Sequence, residues 1–306
     1  MKQKLSLIKK YFMYFNERFP IVGALLYAGA LFFMSYFSAS LFLDHLPIKA
    51  IDSIVGFGVV FLSLLHLRIF DEHKDYEQDK IAHPDRMLSK GLITLNDLRK
   101  LLYGVLLLEA ALSLYLGTHI FMIWILIMFW SYLMYTEFFV PEFLNKQMGL
   151  YLISHQIIVP IILIFGLAQR VPMESLSIQD FRLLIILCVA SMCSTITYEI
   201  ARKTWSKEKE HECADSYTKS WGIKKTIIIN QITTLISCSC FIYIYSFANI
   251  AIVFHLIVFL FYLIFLTAEI LFVFKPEKRN SKIVELTGIL YLLGVFINSC
   301  IGFAII

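Results

Sequence analysis

Residues 48–86 read IKAIDSIVGFGVVFLSLLHLRIFDEHKDYEQDKIAHPDR. The run 48–70 is apolar and near the roughly 20 residues that a helix needs to cross a bilayer. At its end the text turns to charge, and Asp71, Asp75 and Asp79 recur every fourth residue. On a helix that spacing points three carboxylates to one side. Adjacent carboxylates repel one another unless a cation neutralises them. Carboxylates at the mouth of a membrane helix are read as functional by default.

Working outward, the apolar pattern repeats. The chain has 306 residues, 59% of them hydrophobic and 16% charged, with a mean hydropathy of +0.74. That is too apolar for a water-facing surface. Nine stretches, 20–43, 48–70, 101–118, 119–139, 149–168, 180–200, 223–245, 248–274 and 283–305, each approach the length of a span, with short joints near 118 and 247. Helices satisfy their own backbone in lipid, so an all-α, polytopic membrane bundle is expected. There is no Gly- or Pro-rich linker. One membrane domain over 1–306 is expected, with two long polar loops at 71–100 and 201–222.

Lys and Arg set the expected orientation. Of 27, 23 fall in the N-terminal tail (Lys2, Lys4, Lys9, Lys10, Arg18) and in alternate segments 71–100, 140–148, 201–225 and 275–282. The opposite loops hold only Lys49, Arg170 and Arg182. By the positive-inside rule the N-terminus and both polar loops are cytoplasmic and the C-terminus is outside. The expected setting is a multi-pass protein of a bacterial inner membrane. The net charge of +4 comes from this asymmetry. It does not indicate nucleic-acid binding, because the basic loops also carry Asp and Glu. No cleavable signal peptide is apparent. The six cysteines, among them Cys213, form no CxxC pair and read as small core residues.

Several side chains carry chemistry. Asp71, Asp75 and Asp79 offer the hard oxygen ligands that Mg²⁺ prefers. Arg68, Lys74, Lys80 and Arg86 supply phosphate donors. A solvated helix end of Asp–Lys pairs is the plain alternative. Glu137 follows Tyr135 at a helix end. His155 sits early in the fifth stretch, suited to accept a proton from an acceptor or simply to bond a neighbouring helix. Glu109, Asn230, Gln231, His255, Glu269 and Asn298 are intramembrane polar groups, for which interhelical hydrogen bonds are expected. Glu208, Glu210 and Glu212 read as a charged loop.

DEHKDYEQDKIAHPDRMLSKGLI, residues 71–93, resembles the first Asp-rich motif of the UbiA superfamily of intramembrane prenyltransferases. Asp75 and Asp79 fall on two motif aspartates, and Pro84, Asp85, Arg86, Leu88 and Gly91 on the pattern that follows. Asp71 stands where Asn is usual, Glu72 where Asp is usual, and Met87 where a second proline is usual. The resemblance implies a helical bundle with a central cavity. It also implies a prenyl diphosphate held through Mg²⁺ at two Asp-rich motifs, and an allylic cation that alkylates a lipophilic, often aromatic, acceptor. It places Tyr135 near the diphosphate and makes Lys146 the candidate for a family lysine.

The second motif departs from the pattern. In YEIARKTWSKEKEHECADSYTKSWG, residues 198–222, Glu199 matches an acidic position just before the motif. Lys203 stands on the first motif aspartate, and Ser206 and Glu210 on the next acidic positions. Arg202 and Lys203 bring positive charge where a second Mg²⁺ site is expected. Either they clamp diphosphate in place of metal, or the donor differs, for example a phosphosugar passed to a polyprenyl phosphate. A transporter is the remaining alternative. Acceptor, chain length and oligomeric state are not legible.

Overall fold

The computed structural model describes residues 6–43, 47–210 and 216–306, with the side chain of Asn145 set aside. Lys2, Lys4, Glu212 and Cys213 therefore lie outside the described residues. The regular elements of the described residues are helices, with α1 Leu7–Arg18, α2 Ile21–Phe37, α3 Ala50–Lys74, α4 Tyr76–Ala82, α5 Leu95–Leu116, α6 Thr118–Tyr135 and α7 Pro141–Lys146. It continues with α8 Met148–Gln156, α9 Ile158–Leu167, α10 Ile178–Arg202, α11 Tyr217–Trp221, α12 Ile223–Phe247, α13 Ile252–Phe274 and α14 Lys278–Ala304.

Among the described residues, eight segments are long and apolar enough to span a membrane, and α8 with α9 make up one of them. The ninth expected stretch is α5. Its 22 residues are long enough, but Asp97, Arg99, Lys100 and Glu109 lower its hydropathy. The all-α, polytopic reading holds.

Local chemistry explains the boundaries. Thr94 with Asp97 and Ser177 with Asp180 form capping boxes that start α5 and α10, each satisfying otherwise orphaned backbone donors. The joint near 118 is Gly117, whose φ of 126° only glycine adopts without strain. The joint near 247 turns at Asn249, in the left-handed region at φ 52°. The fifth stretch breaks at Ile157. Pro160 has no N–H to give to Gln156, four residues back.

The chain forms two compact units, one of Met1–Gly29 with Lys49–Phe139, the other of Ala30–Ile48 with Val140–Ile306. Helix α2 contributes to both.

In the first unit a fully buried polar network ties α3, α5 and α6. His66 Nδ1 meets Glu109 at 2.8 Å, His66 Nε2 meets Ser131 Oγ at 3.0 Å, and Trp124 Nε1–H donates to Glu109 at 2.9 Å. The Ser131 hydroxyl donates to Ile127 O, so it accepts from Nε2–H.

In the second unit, Glu269 accepts from Asn230 at 2.8 Å and from Gln231 at 2.5 Å. Asn298 donates to Tyr245 Oη and to Phe254 O. Bonds of this kind average only about 0.6 kcal/mol in membranes. Their larger effect is to avoid leaving a buried polar group unpaired. Close packing adds to them: a Cβ on Gly166 would stand 2.3 Å from Ser35 Oγ.

Candidate active site

Two charged segments carry the candidate chemistry, one in each unit. In the first, α3 ends at Lys74, and Asp75 (φ −93°, ψ 7°) interrupts the helix before α4 begins. The three aspartates are therefore not on one straight helix, as their spacing suggests. The i→i+4 bonding still runs through the kink, with Asp75 N–H on Asp71 O and Asp79 N–H on Asp75 O, both at 2.8 Å.

Their surroundings differ. Asp71 is exposed, with Lys74 Nζ at 3.9 Å. Asp79 is gripped by Arg86 Nη1 and by Arg18 Nη2, the latter at 3.2 Å. Asp75 is partly buried, and among the described residues no side-chain donor reaches its carboxylate. Burial pushes Asp75 up to about 6; Asp71, Asp79 and Glu137 add to the rise and Lys74 opposes it.

Glu72, expected only as a variant of a motif residue, is buried between two arginines. Arg18 Nε donates to it at 2.6 Å and Arg68 Nε at 3.1 Å. Arg68, expected beside phosphate, thus bonds Glu72.

Arg18 belongs to α1, which meets the rest of its unit from Lys10 onward. Lys10 pairs with Asp97 at 3.2 Å, and Tyr11 donates to Asp97 O at 2.8 Å. Tyr14 and Phe19 enter a core with Leu65, Ile69, Met87 and Leu88. The Met87 N–H donates to Glu17 at 3.0 Å. A proline at 87 would have no such hydrogen, so the Met87 departure has a structural use.

At the end of α6, Tyr135 lies 5.1 Å from the Phe70 ring, which meets His66 edge-on. Glu137, Phe138 and Phe139 follow in the left-handed region, at φ 49°, 54° and 60°. That conformation costs roughly 1–2 kcal/mol per residue. The turn brings the Glu137 charge within reach of Asp75.

In the second unit, Glu199, Arg202 and Lys203 close α10. Arg202 Nη2 meets Glu199 at 2.6 and 2.8 Å and Nε at 3.1 Å; Lys203 Nζ stands at 3.4 Å. Lys203 lies 6.0 Å above the Tyr217 ring. Burial, with Glu199 nearby, pushes the Tyr217 phenol up. Leu152 of α8 packs with Ile196, Ile200 and Tyr217.

His155, one turn on from Tyr151, stacks on that ring at 3.9 Å and bonds Tyr151 O through Nδ1 at 2.8 Å. A carbonyl only accepts, so Nδ1 carries the proton and Nε2 is the basic nitrogen. Lys146 is exposed at the end of α7.

Among the described residues, no three His, Cys, Asp or Glu side chains form a ready-made metal cluster. Mg²⁺ does not require one, since it commonly uses one or two carboxylates with waters and substrate phosphates. The first segment fits such a cation, because Asp75 is a carboxylate among carboxylates with no donor on it. In the second, Glu199 is already paired with two cations, Arg202 and Lys203.

Sequence reading treated Arg18 only as a topology charge and passed over Glu17, Tyr151 and Tyr217. Arg18 reaches Asp79 across 61 positions, and no local spacing announces that.

A family model described as the UbiA prenyltransferase family matches residues 31–293. Helix α1 lies outside that stretch. The fold is similar to that of a structure of digeranylgeranylglyceryl phosphate synthase in membranes, with TM-score 0.69, 18% identity and coverage of 97% of this chain and 100% of that one. It is also similar to an apo UbiA homolog from Aeropyrum pernix K1, with TM-score 0.65, 13% identity and coverage of 89% and 98%. No curated protein matches the chain.

Proposed function

Because the chain belongs to the UbiA prenyltransferase family and is a membrane transferase, we propose that it moves an isoprenoid chain from a prenyl diphosphate to a lipophilic, often aromatic, acceptor, with Mg²⁺ as cofactor. The observation that supports this most is the state of Asp75. It is a partly buried carboxylate raised to about 6 among like charges, and arginines stand on the neighbouring Asp79 and Glu72. The segment thus presents a cation-seeking group beside phosphate-seeking groups.

Asp75 and Asp79, with Asp71 at the rim, are the residues to hold Mg²⁺. Bound there, Mg²⁺ neutralises diphosphate charge and makes it a better leaving group. Arg86 and Arg68 donate to phosphate oxygens, which carry more charge as the C–O bond of the donor breaks. The bonding pair leaves with diphosphate. Aromatic faces such as Tyr135 and Phe70 stabilise the positive carbon. The acceptor supplies the electron pair for the new bond and gives up a proton, which His155 Nε2 is suited to take. Arg202, Lys203 and Lys146 are the second unit's phosphate-seeking cations, and Glu199 holds Arg202 and Lys203 in place. The Lys and Arg pattern supports a cytoplasmic N-terminus and cytoplasmic charged loops.

The test is turnover of a labelled prenyl diphosphate by the purified protein in Mg²⁺ and in EDTA. Activity is expected only with Mg²⁺, with none from Asp75→Ala or Asp79→Ala. Full turnover by both variants would remove the metal assignment. Inert prenyl diphosphates together with turnover of a phosphosugar donor would favour the altered-donor reading, which the basic second segment keeps open.

A further inference from the structure

At the end of α10 away from Glu199, the second unit holds a groove of a different kind. Gln179, Arg182, Leu183 and Ile186 are spaced i, i+3, i+4 and i+7, which places them on one face of α10. Tyr243 and Phe247, one turn apart on α12, stand opposite. The six side chains line a cavity of about 330 Å³, at the lower end of the roughly 300–1,000 Å³ of small-ligand sites.

Both helices are long and apolar enough to span a membrane, and they run side by side in opposite directions. Ser194 meets Ser237 at 2.6 Å and Thr197 meets Thr234 at 3.1 Å, so three residues up one helix match three down the other. The start of α10 and the end of α12 therefore reach the same membrane face. With 25 residues α10 is about 37 Å long, so its ends pass beyond a hydrocarbon core of about 30 Å. Arg182, its fifth residue, sits near that boundary. Leu183 and Ile186 carry the groove on into the apolar layer, and between Arg182 and Glu199 α10 has no charged residue. Tyr243 and Phe247 are 52% and 44% exposed, so no other part of the chain covers that wall.

A cation in this place calls for an anion. Asp180, two residues away, is committed to the cap of α10, where its carboxylate accepts from the Ser177 N–H at 2.8 Å and the Ser177 hydroxyl at 2.7 Å. Among the described residues no carboxylate stands within 4.0 Å of the Arg182 guanidinium. An arginine near the end of a span reaches water by snorkelling. Snorkelling alone does not account for a guanidinium that lines a cavity between two spans with apolar and aromatic walls. Basic pockets between membrane helices take anionic headgroups. A guanidinium binds phosphate through two parallel hydrogen bonds, and the Gln179 amide offers further donors. The groove is thus polar where a headgroup lies and apolar where a chain begins.

We infer that the groove between α10 and α12 binds one anionic phospholipid, its phosphate on Arg182 and Gln179 and one acyl chain along Leu183, Ile186, Tyr243 and Phe247. The lipid braces α10 against α12 at the end opposite Glu199, Arg202 and Lys203. This site is independent of the prenyl diphosphate reading.

The experiment uses the full-length protein in detergent, native mass spectrometry and thermal melts. Dioleoyl phosphatidylglycerol is the probe, and dioleoyl phosphatidylcholine is the zwitterionic comparison. The unsubstituted protein is expected to hold one phosphatidylglycerol about fivefold more tightly than phosphatidylcholine, the order expected of one arginine at an anionic surface, and to melt higher with it. Arg182→Gln is expected to lose both the preference and the added stability, and Arg182→Lys to keep part of each. Ile186→Trp, which fills the apolar end, is expected to lose retention of either lipid. Melts without lipid show whether each variant folds, and Arg182 is exposed enough for Gln to be accommodated there. Equal retention of the two lipids by the parent overturns the inference, as does a phosphatidylglycerol preference that Arg182→Gln leaves unchanged. An Arg182→Gln melt lowered equally with and without lipid also overturns it, because Arg182 then serves an acid of its own chain, Glu174 or Asp44, the latter outside the described residues. A parent dimer that Arg182→Gln or Tyr243→Ala reduces to monomer overturns it in favour of a second copy covering the groove.

Discussion

The two charged segments solve opposite problems. The first, around Asp75, has more carboxylates than local cations, and the arginines on Asp79 come from elsewhere: Arg86 seven residues on, and Arg18 from a separate helix. The second, around Glu199, has more cations than carboxylates, and its partners are three and four residues away on the same helix. Compensation by distant elements leaves Asp75 without a side-chain donor among the described residues, and raised. Compensation within a helical turn leaves Glu199 paired twice. The lesson is that a motif's metal affinity depends on what already sits on its carboxylates as much as on how many it has.

The sharpest way to break this contrast is to delete one acid from each side. Asp75→Ala is expected to lower Mg²⁺-dependent turnover by more than about 100-fold, since it removes a ligand to the ion. Glu199→Gln is expected to raise the donor KM roughly tenfold, the size of one charge-assisted hydrogen-bond network. The Mg²⁺ concentration for half-maximal rate should not move. If both variants shift that concentration equally, the two segments are alike after all.

A second prediction concerns pH. Asp75 titrates near 6 in the folded protein and near about 3.9 when unfolded. Between these values the folded state holds more protons, so the stability contributed by this group is present below about pH 4 and lost as pH rises through 6. Asp75→Asn removes that loss. In EDTA, Asp75→Asn is expected to be more stable than the parent by on the order of 1 kcal/mol at pH 7.5, after discounting for partial exposure, and equal to it at pH 4. Thermal melts of the two proteins across pH check this. Equal melts at every pH would mean Asp75 is matched by a cation.

The smallest effect tests the distant arginine. Arg18→Gln takes one of two guanidinium partners from both Glu72 and Asp79. It is expected to cost about 1 kcal/mol in EDTA, and Mg²⁺ is expected to restore part of it by taking the vacated place on Asp79. Melting temperatures with and without Mg²⁺ measure this. A loss that Mg²⁺ leaves untouched would make Arg18 a purely structural anchor of α1.

Legibility follows the range of the interaction. Apolar runs, the capping boxes at Thr94 and Ser177, the Gly117 turn and the Pro160 break are local, and all can be read along the chain. Glu199 with Arg202 and Lys203 is local too, so its basic character showed in the spacing. The kink at Asp75 did not show, because a helix-compatible sequence says nothing of where the axis bends. Glu109 was expected to have a partner, but His66 could not be named from 43 positions away.

What the sequence determined by itself is a helical membrane protein with an aspartate ladder at one helix mouth and a basic counterpart after the sixth span. Hydropathy and hydrogen bonding within helices are decided by neighbours in the chain. Only the tertiary structure decided which carboxylate is left to seek a cation. Charges pair through space, and α1 with Arg18 and the turn with Arg86 had to pack before Asp79 was matched and Asp75 was not.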